Sequence, residues 1–463
     1  MKVEQIYTGC LSQGAYYIES DGHAAIVDPL REIDTYIRKA DSEEAKIKYI
    51  FETHFHADFV SGHVDLASRT GAQIVYGPNA KADFDFHEAA DGEIFEIGKV
   101  KIKVLHTPGH TLESTTYLLI DEEGKEHAIF SGDTLFIGDV GRPDLAQKGA
   151  LSQEDLAGML FDSLRSKIMI LPDDITVYPA HGAGSACGKN MSKETSDSLG
   201  SQKESNYALR SNMTRDEFVA EVTDGLLPPP QYFAQNVAMN KTKAKSLNEI
   251  MDKGSAPLNA ETFESIVNHE GALVLDTRSA SDYSESHIPN SIFIGIDGGF
   301  APWVGALIPD LKQNILFIAP EGREEEVITR LSRVGYDNTL GFLEGGIETW
   351  KKSGKEVDRV ESISADAFAE MYEKESLNTL DVRKPGEFQG GHLRKVSSFP
   401  LDYINDNMNQ VDSTKSYAVH CAGGYRSMIA ASILKSRGVQ KVINIEGGFK
   451  AIEETNIPRT EFI

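Results

Sequence analysis

Residues Thr53-His54-Phe55-His56-Ala57-Asp58-Phe59 bring two imidazoles and a carboxylate into one short stretch, directly after the apolar run Ile47 to Phe51. A β-strand ending there presents His54, His56 and Asp58 from a single loop, a donor set suited to a cation. Histidines on an exposed loop need no such explanation, and recurrence decides between the two. Leu105-His106-Thr107-Pro108-Gly109-His110 ends another apolar run on a Pro-Gly turn and delivers His110. Ala128-Ile129-Phe130 runs into Ser131-Gly132-Asp133, and Val177-Tyr178-Pro179-Ala180 runs into His181. Four strand ends in succession, each closing on His or Asp, describe a metal centre.

A second constellation follows apolar Tyr417-Ala418-Val419, in His420-Cys421-Ala422-Gly423-Gly424-Tyr425-Arg426-Ser427 and the helical stretch to Ser436. A cysteine at a strand end, before a glycine loop that opens a helix, is ringed by backbone N–H groups. Those donors stabilise a thiolate and equally a bound persulfide, and Arg426 adds a fixed charge.

The elements that must position these groups fall into two regimes. Up to about residue 240, β-rich runs at 15–18, 24–27, 48–51, 73–76, 100–105 and 115–120 alternate with loops and helical candidates at 33–39, 64–70 and 156–167. That pattern predicts two sheets sandwiched between helices, with the site on the loops at one edge. Gly184 to Asn206 is polar and rich in Gly, Ser and Lys and is expected to be a mobile loop. Leu226-Leu227-Pro228-Pro229-Pro230 breaks helix and leads, through a Lys-rich helical stretch from Lys241 to Met251, to a domain boundary at Gly254-Ser255-Ala256-Pro257.

Beyond the boundary the sequence repeats itself. Asp276, Arg278 and His287 reappear as Asp381, Arg383 and His392, each 105 positions on, and Leu343-Glu344-Gly345-Gly346 reappears as Ile445-Glu446-Gly447-Gly448. Two α/β domains with parallel strands are expected, giving units at 1–253, 254–357 and 358–463. Ala319 occupies the Cys421 position of the first copy and Glu324 the Arg426 position. Without a thiol, and with an acid in the anion cradle, that copy should not transfer sulfur. His287 and His392 read as structural groups hydrogen-bonded within the fold.

Composition narrows the partners. A formal charge of −25 disfavours nucleic acid and anionic membrane, so small anionic substrates need local donors. Cys10, Cys187 and Cys421 are too few and too scattered for a disulfide framework, and Cys187 reads as a packing residue. No apolar run reaches 18 residues and the start carries no signal-peptide pattern, so a cytoplasmic protein is expected.

The His-x-His-x-Asp, lone His, lone Asp, last His order resembles the metallo-β-lactamase superfamily. The Asp-x-Arg, Gly-His and Glu-Gly-Gly marks with the Cys421 loop resemble rhodanese sulfurtransferase domains. An αββα sandwich followed by two rhodanese-like α/β domains, the first degenerate, is therefore expected. Binuclear hydrolases of the superfamily continue the first motif with a further metal-binding His, where this chain has Phe59. That departure favours one iron over a zinc pair, because nitrogen and carboxylate donors with open positions suit non-haem iron.

Among superfamily members the chain looks like the multidomain persulfide dioxygenase–sulfurtransferases. That resemblance implies one Fe(II) per chain on His54, His110 and Asp133. His56, Asp58 and His181 would orient ligands, shuttle protons or hold substrate. Arg142, in Gly141-Arg142-Pro143-Asp144, would position an anion or close a structural ion pair with Asp144. The implied partners are low-molecular-weight thiol persulfides, O2 and sulfite, and a homo-oligomer is expected. Two other readings stand beside this one: a zinc thioester hydrolase fused to a sulfurtransferase, and a non-enzymatic sulfide-responsive binding module.

Overall fold

In the computed structural model, which describes residues 1–145, 151–374 and 377–460, the chain divides into two compact units. One comprises Met1–Leu247 with Ser332–Gly335, the other Asn248–Leu331 with Tyr336–Ile463.

The first unit is built on two six-stranded sheets. One runs in the order Lys2–Thr8, Gln13–Ser20, His23–Val27, Lys46–Glu52, Gln73–Tyr76, His87–Glu88, antiparallel at first and parallel from His23–Val27 onward. The other runs Asp197–Ser198, Thr176–Pro179, Glu126–Gly132, Thr115–Ile120, Val100–His106, Ile94–Ile97. Alternation along the strands sends one set of side chains between the sheets, where Tyr16, Ile18, Phe51, Val75, Val104, Tyr117 and Phe130 form a fully buried core. Outer faces are closed by helices. Asp34–Ser42 and His63–Thr70 cover the first sheet with Tyr36, Ala40 and Leu66, and Gln153–Ser163 covers the second with Leu156, Ala157 and Leu160. The αββα sandwich follows from this layering.

Strands Lys46–Glu52, Val100–His106, Glu126–Gly132 and Thr176–Pro179 run directly into His54, His110, Asp133 and His181. Gly132 makes this convergence feasible. It sits at φ +53°, and a Cβ there would lie 2.6 Å from the Cβ of Thr53, on the strand end that carries His54.

Two sequence expectations need correction. Gly184 to Asn206 is not a structureless loop: Asp197–Ser198 adds an antiparallel strand to Thr176–Val177, and Leu199–Ser205 is a helix with Leu199 fully buried. Its N-cap is Ser198, whose hydroxyl accepts from Ser201 N–H, a polar signal that composition alone counts as loop. The stretch from Lys241 to Met251 is not one helix either, since Phe233–Asn240 ends before it and Leu247–Gly254 begins within it.

In the second unit each repeat forms a five-stranded sheet whose paired strands are parallel: Pro257–Leu258, Thr339–Leu343, Ile315–Ile318, Leu273–Asp276, Ile292–Phe293, and then Glu361–Ile363, Lys441–Ile445, Ser416–His420, Asn378–Asp381, Ser397–Ser398. Register confirms the alignment of the copies. Asp276 pairs with Ile318 and Asp381 with His420, so Ala319 and Cys421 each follow the same rung.

Gly132→Ala should destabilise the first unit by about 1–3 kcal/mol, through a strained backbone and displacement of Thr53. Urea unfolding of the full chain, followed by hydrogen exchange in residues 46–54, measures it.

Candidate functional site

The four strand ends converge as their sequence positions imply. His110 Nε2 lies 3.3 Å from Asp133 Oδ2 and His54 Nε2 3.9 Å from the same oxygen, all three side chains being buried. Asp133 Oδ1 faces the other way, 3.5 Å from His181 Nε2, which is also 3.4 Å from Asp58 Oδ2. Among the described residues four overlapping buried donor groups therefore share this edge of the sandwich: His54, His110 and Asp133; His56, Asp58 and His181; Asp133, His181 and Cys187; and Asp28, Glu52 and His56.

The imidazoles of the first group are prepared for a metal by hydrogen bonds on their far side. Thr53 donates its N–H and its hydroxyl to the two oxygens of Asp28, each at 2.8 Å. With its one proton committed, Thr53 Oγ1 accepts from Nδ1–H of His54 at 3.0 Å. His110 Nδ1–H donates to the carbonyl of Arg142 at 2.8 Å. Both rings are thereby left with a bare Nε2 lone pair aimed at Asp133. Burial pushes His54 well below its ordinary value, with His56, His110 and His181 acting the same way, so the neutral, ligating form is favoured. Both carboxylate oxygens of Asp133 are buried and have no hydrogen-bond partner in the protein. An orphaned carboxylate beside two neutral imidazoles fits a divalent cation.

His56 is held differently. Its Nε2 points at Asp28 Oδ1 (3.1 Å) and Glu52 Oε2 (3.4 Å), and the Phe59 ring stacks on it at 4.2 Å. Burial works against its charged form, but Asp28 and Glu52 prevail and raise it well above the ordinary imidazole value. Burial raises Asp58, reinforced by Asp133 and opposed by His181.

The Arg142 guanidinium forms a bidentate pair with Asp144 (2.6 and 2.7 Å) and donates to the carbonyls of Ala186 and Leu227. The ion pair with Asp144, one of the two roles the sequence left open, is formed, and the Arg142 carbonyl accepts from His110. Cys187, read from sequence as a packing residue, lines the same pocket beside Asp133 and His181; burial, with Asp58 and Asp133, keeps its thiol protonated.

Sequence reasoning missed Asp28, Glu52 and Asn240. Asp28 ends the apolar strand His23–Val27, the same strand-end signature as the others, and takes a left-handed φ of +50°. Asn240 clasps the metal loop by donating to the carbonyls of His56 and Phe59 and accepting from Ser61 N–H, each at 2.8 Å. Nothing in the sequence links it to residues 180 positions away.

In the last repeat Cys421 is buried and its Sγ accepts from Gly424 N–H at 3.1 Å. Arg426 is locked in a bidentate pair with Glu387, at 2.6 and 2.8 Å. His287 and His392 donate Nδ1–H to the carbonyls of Tyr283 and Phe388 and stack on those rings, the structural role expected of them.

Residues 8–181 match the Metallo-beta-lactamase superfamily, and residues 259–353 and 364–455 each match the Rhodanese-like domain. A solved structure described as a metallo-beta-lactamase from Staphylococcus aureus is 32% identical, covers 74% of this chain and 99% of its own, and superposes with a TM-score of 0.65. Curated relatives include a probable hydroxyacylglutathione hydrolase of Schizosaccharomyces pombe (35% identity over 34% of this chain) and a cytoplasmic hydroxyacylglutathione hydrolase of Arabidopsis thaliana (32% over 37%). The chain spans 58% and 65% of the length of those two relatives. Fold and site thus define a metallo-β-lactamase-type αββα domain joined to rhodanese-like domains. The chain belongs to the metallo-β-lactamase superfamily, as a member that carries two rhodanese-like repeats.

Thr53→Val keeps the shape but removes the acceptor for His54, and should weaken metal affinity about 10–100-fold, read by chelator competition. In the second unit burial lowers both His287 and His420. Their neutral forms support folding fully above the unfolded imidazole value of about 6.5, and that support is lost as pH falls below it. The unfolding midpoint of the second unit should therefore drop between pH 7 and pH 5, measured by hydrogen exchange resolved to residues 260–460.

Proposed function

We propose that the chain is a non-haem iron persulfide dioxygenase coupled to a rhodanese sulfurtransferase, with one Fe(II) per chain on His54, His110 and Asp133. The observation that carries this reading is the state of the second donor group. Phe59 stands there in place of an imidazole and His56 turns Nε2 toward two carboxylates, so His54, His110 and Asp133 form the better prepared of the two groups, a two-His-one-carboxylate set suited to non-haem iron. Ferrous iron bound there would supply the redox-active open positions at which a persulfide sulfur and O2 meet.

The chain's own residues do the rest. Asp58 and His181 offer unpartnered polar atoms beside the triad, suited to holding the persulfide and accepting its protons. In balance, R–S–SH, O2 and water give R–SH, sulfite and two protons. At the second site the Gly424 N–H and the helix start steady a negative sulfur on Cys421. The Cys421 thiolate takes the outer sulfur of a second R–S–SH, whose S–S bond breaks to release R–SH; sulfite then attacks the outer sulfur of the Cys421 persulfide, that S–S bond breaks, thiosulfate leaves and the thiolate remains. Sulfide detoxification is the setting this pair of reactions suits, and a covalent tether raises the effective concentration of sulfite at its acceptor.

The names of the curated relatives favour a second reading, hydrolysis of a glutathione thioester with the His56, Asp58 and His181 group holding a further ion.

His110→Ala should abolish persulfide-dependent O2 uptake by iron-loaded protein; uptake at the wild-type rate would remove iron from the account, and S-acylglutathione hydrolysis by zinc-loaded protein without any O2 uptake would establish the second reading. Cys421→Ser should keep O2 uptake while releasing sulfite in place of thiosulfate, as product analysis of the same reactions reads directly.

A further inference from the structure

The middle domain keeps its fold without a nucleophile, and the contacts of Tyr425 give it work to do. Tyr425 belongs to the Cys421 loop and is the first residue of the helix Tyr425–Ser436. Its side chain reaches the middle domain. Its hydroxyl donates to the carbonyl of Gly295 in the middle domain at 2.8 Å, and its ring meets Phe293 edge-on at 6.0 Å. The ring also lies flush against Gly298, where a Cβ would sit 2.2 Å from Tyr425 Cζ. One turn pair further along the same helix, Ser432 Oγ accepts from Phe293 N–H at 2.9 Å.

The seat itself is braced by residues of the degenerate loop and its helix. Arg330 donates to the carbonyl of Ile296 at 2.7 Å, and Arg323 pairs with Asp297 at 2.6 Å. Arg323 lies in Glu321-Gly322-Arg323-Glu324, the stretch that corresponds to the anion cradle of the other copy. There it pairs both with Glu326 of the following helix and with Asp297 of the turn on which the working cradle rests.

We propose that the middle domain is part of the sulfur-transfer apparatus: its Gly295–Gly299 turn seats Tyr425, and through Tyr425 it sets the backbone of the Cys421 cradle. Tyr425 is thus a positioning residue. Gly424 N–H, the donor to Cys421 Sγ, is the residue immediately before it, so rotation of Tyr425 off its seat re-aims that donor. The neighbouring anchors lie within the last domain, Arg426 on Glu387 and Ser427 on Asn444, and they fix the cradle only from the other side. The proposal rests on the reading of Cys421 as the sulfur carrier.

The test uses the full chain and sulfur transfer from thiosulfate to cyanide. In that reaction Cys421 takes the outer sulfur and releases sulfite, and cyanide then removes the sulfur as thiocyanate. Gly298→Ala should lower kcat about tenfold or more, since a displacement near 1 Å costs catalysis heavily, with KM for thiosulfate within about twofold. Tyr425→Phe, which keeps the ring, should lose only a few-fold, and Tyr425→Ala more.

The decisive variant is the double, Gly298→Ala with Tyr425→Ala. With no ring to displace, it should be no worse than Tyr425→Ala alone, whereas Gly298 acting only on its own domain predicts losses that multiply. The iodoacetamide rate at Cys421, resolved by peptide mass, reads the cradle without turnover and should change several-fold in Gly298→Ala. Unchanged kcat and unchanged alkylation in that variant, or multiplicative losses in the double, would overturn the proposal. Wild-type transfer that survives Cys421→Ser, with an alkylation rate still sensitive to Gly298→Ala, would instead remove Cys421 as the carrier and leave the seat standing.

Discussion

A metal centre made of histidines needs each ring to present a bare nitrogen in a fixed direction, and the first unit achieves this from behind. Asp28 is the anchor. It accepts two hydrogen bonds from Thr53, Thr53 in turn accepts from His54, and Asp28 stands at 3.1 Å from His56. Burying a carboxylate is costly, and burial does raise Asp28 above the ordinary range. The surrounding donors offset that cost, and the same carboxylate ends up governing two of the site's histidines in opposite ways. His54 is oriented through Thr53 so that Nε2 faces Asp133, while His56, against its burial, is raised well above the ordinary imidazole value by Asp28 and Glu52.

The consequence is an asymmetric site with donor groups on either side of Asp133. Asp133 stands between them, one oxygen toward each. Phe59 fills space beside His56 with a fully buried apolar ring that stacks on the imidazole. The two sides of Asp133 are therefore unlike, and Asn240 fixes the loop that carries Phe59 by donating to the carbonyls of His56 and Phe59.

The second unit uses duplication differently. Both repeats keep the Asp-x-Arg bracket, with Arg278 and Arg383 each gripping the aspartate two residues earlier and a carbonyl eight residues later. What differs is the loop after the central strand. One copy follows its strand with Cys421 and a donor aimed at the sulfur, while the other follows it with Ala319 and pairs its loop arginine with Glu326 and Asp297. Shared scaffold and divergent loops are expected where fold stability resides in buried strands and chemistry in the connections between them.

Much of this was legible in the chain. Strand ends closing on His54, His110, Asp133 and His181 are visible because a strand's apolar run stops where its backbone leaves the core, so the first polar residue marks the rim. The repeat, its missing cysteine and the glycine loop at Cys421 are equally local. Tertiary structure alone decided which atoms of those residues face one another: that the Arg142 carbonyl accepts from His110, that Cys187 lines the metal pocket, that Asn240 clasps a loop 180 residues earlier, and that Tyr425 reaches Gly295. It also turned the polar stretch after His181 into a strand and a helix. Hydrogen-bond partners distant in sequence carry no periodic or compositional mark, because any polar residue can satisfy a buried donor once the fold has brought it near.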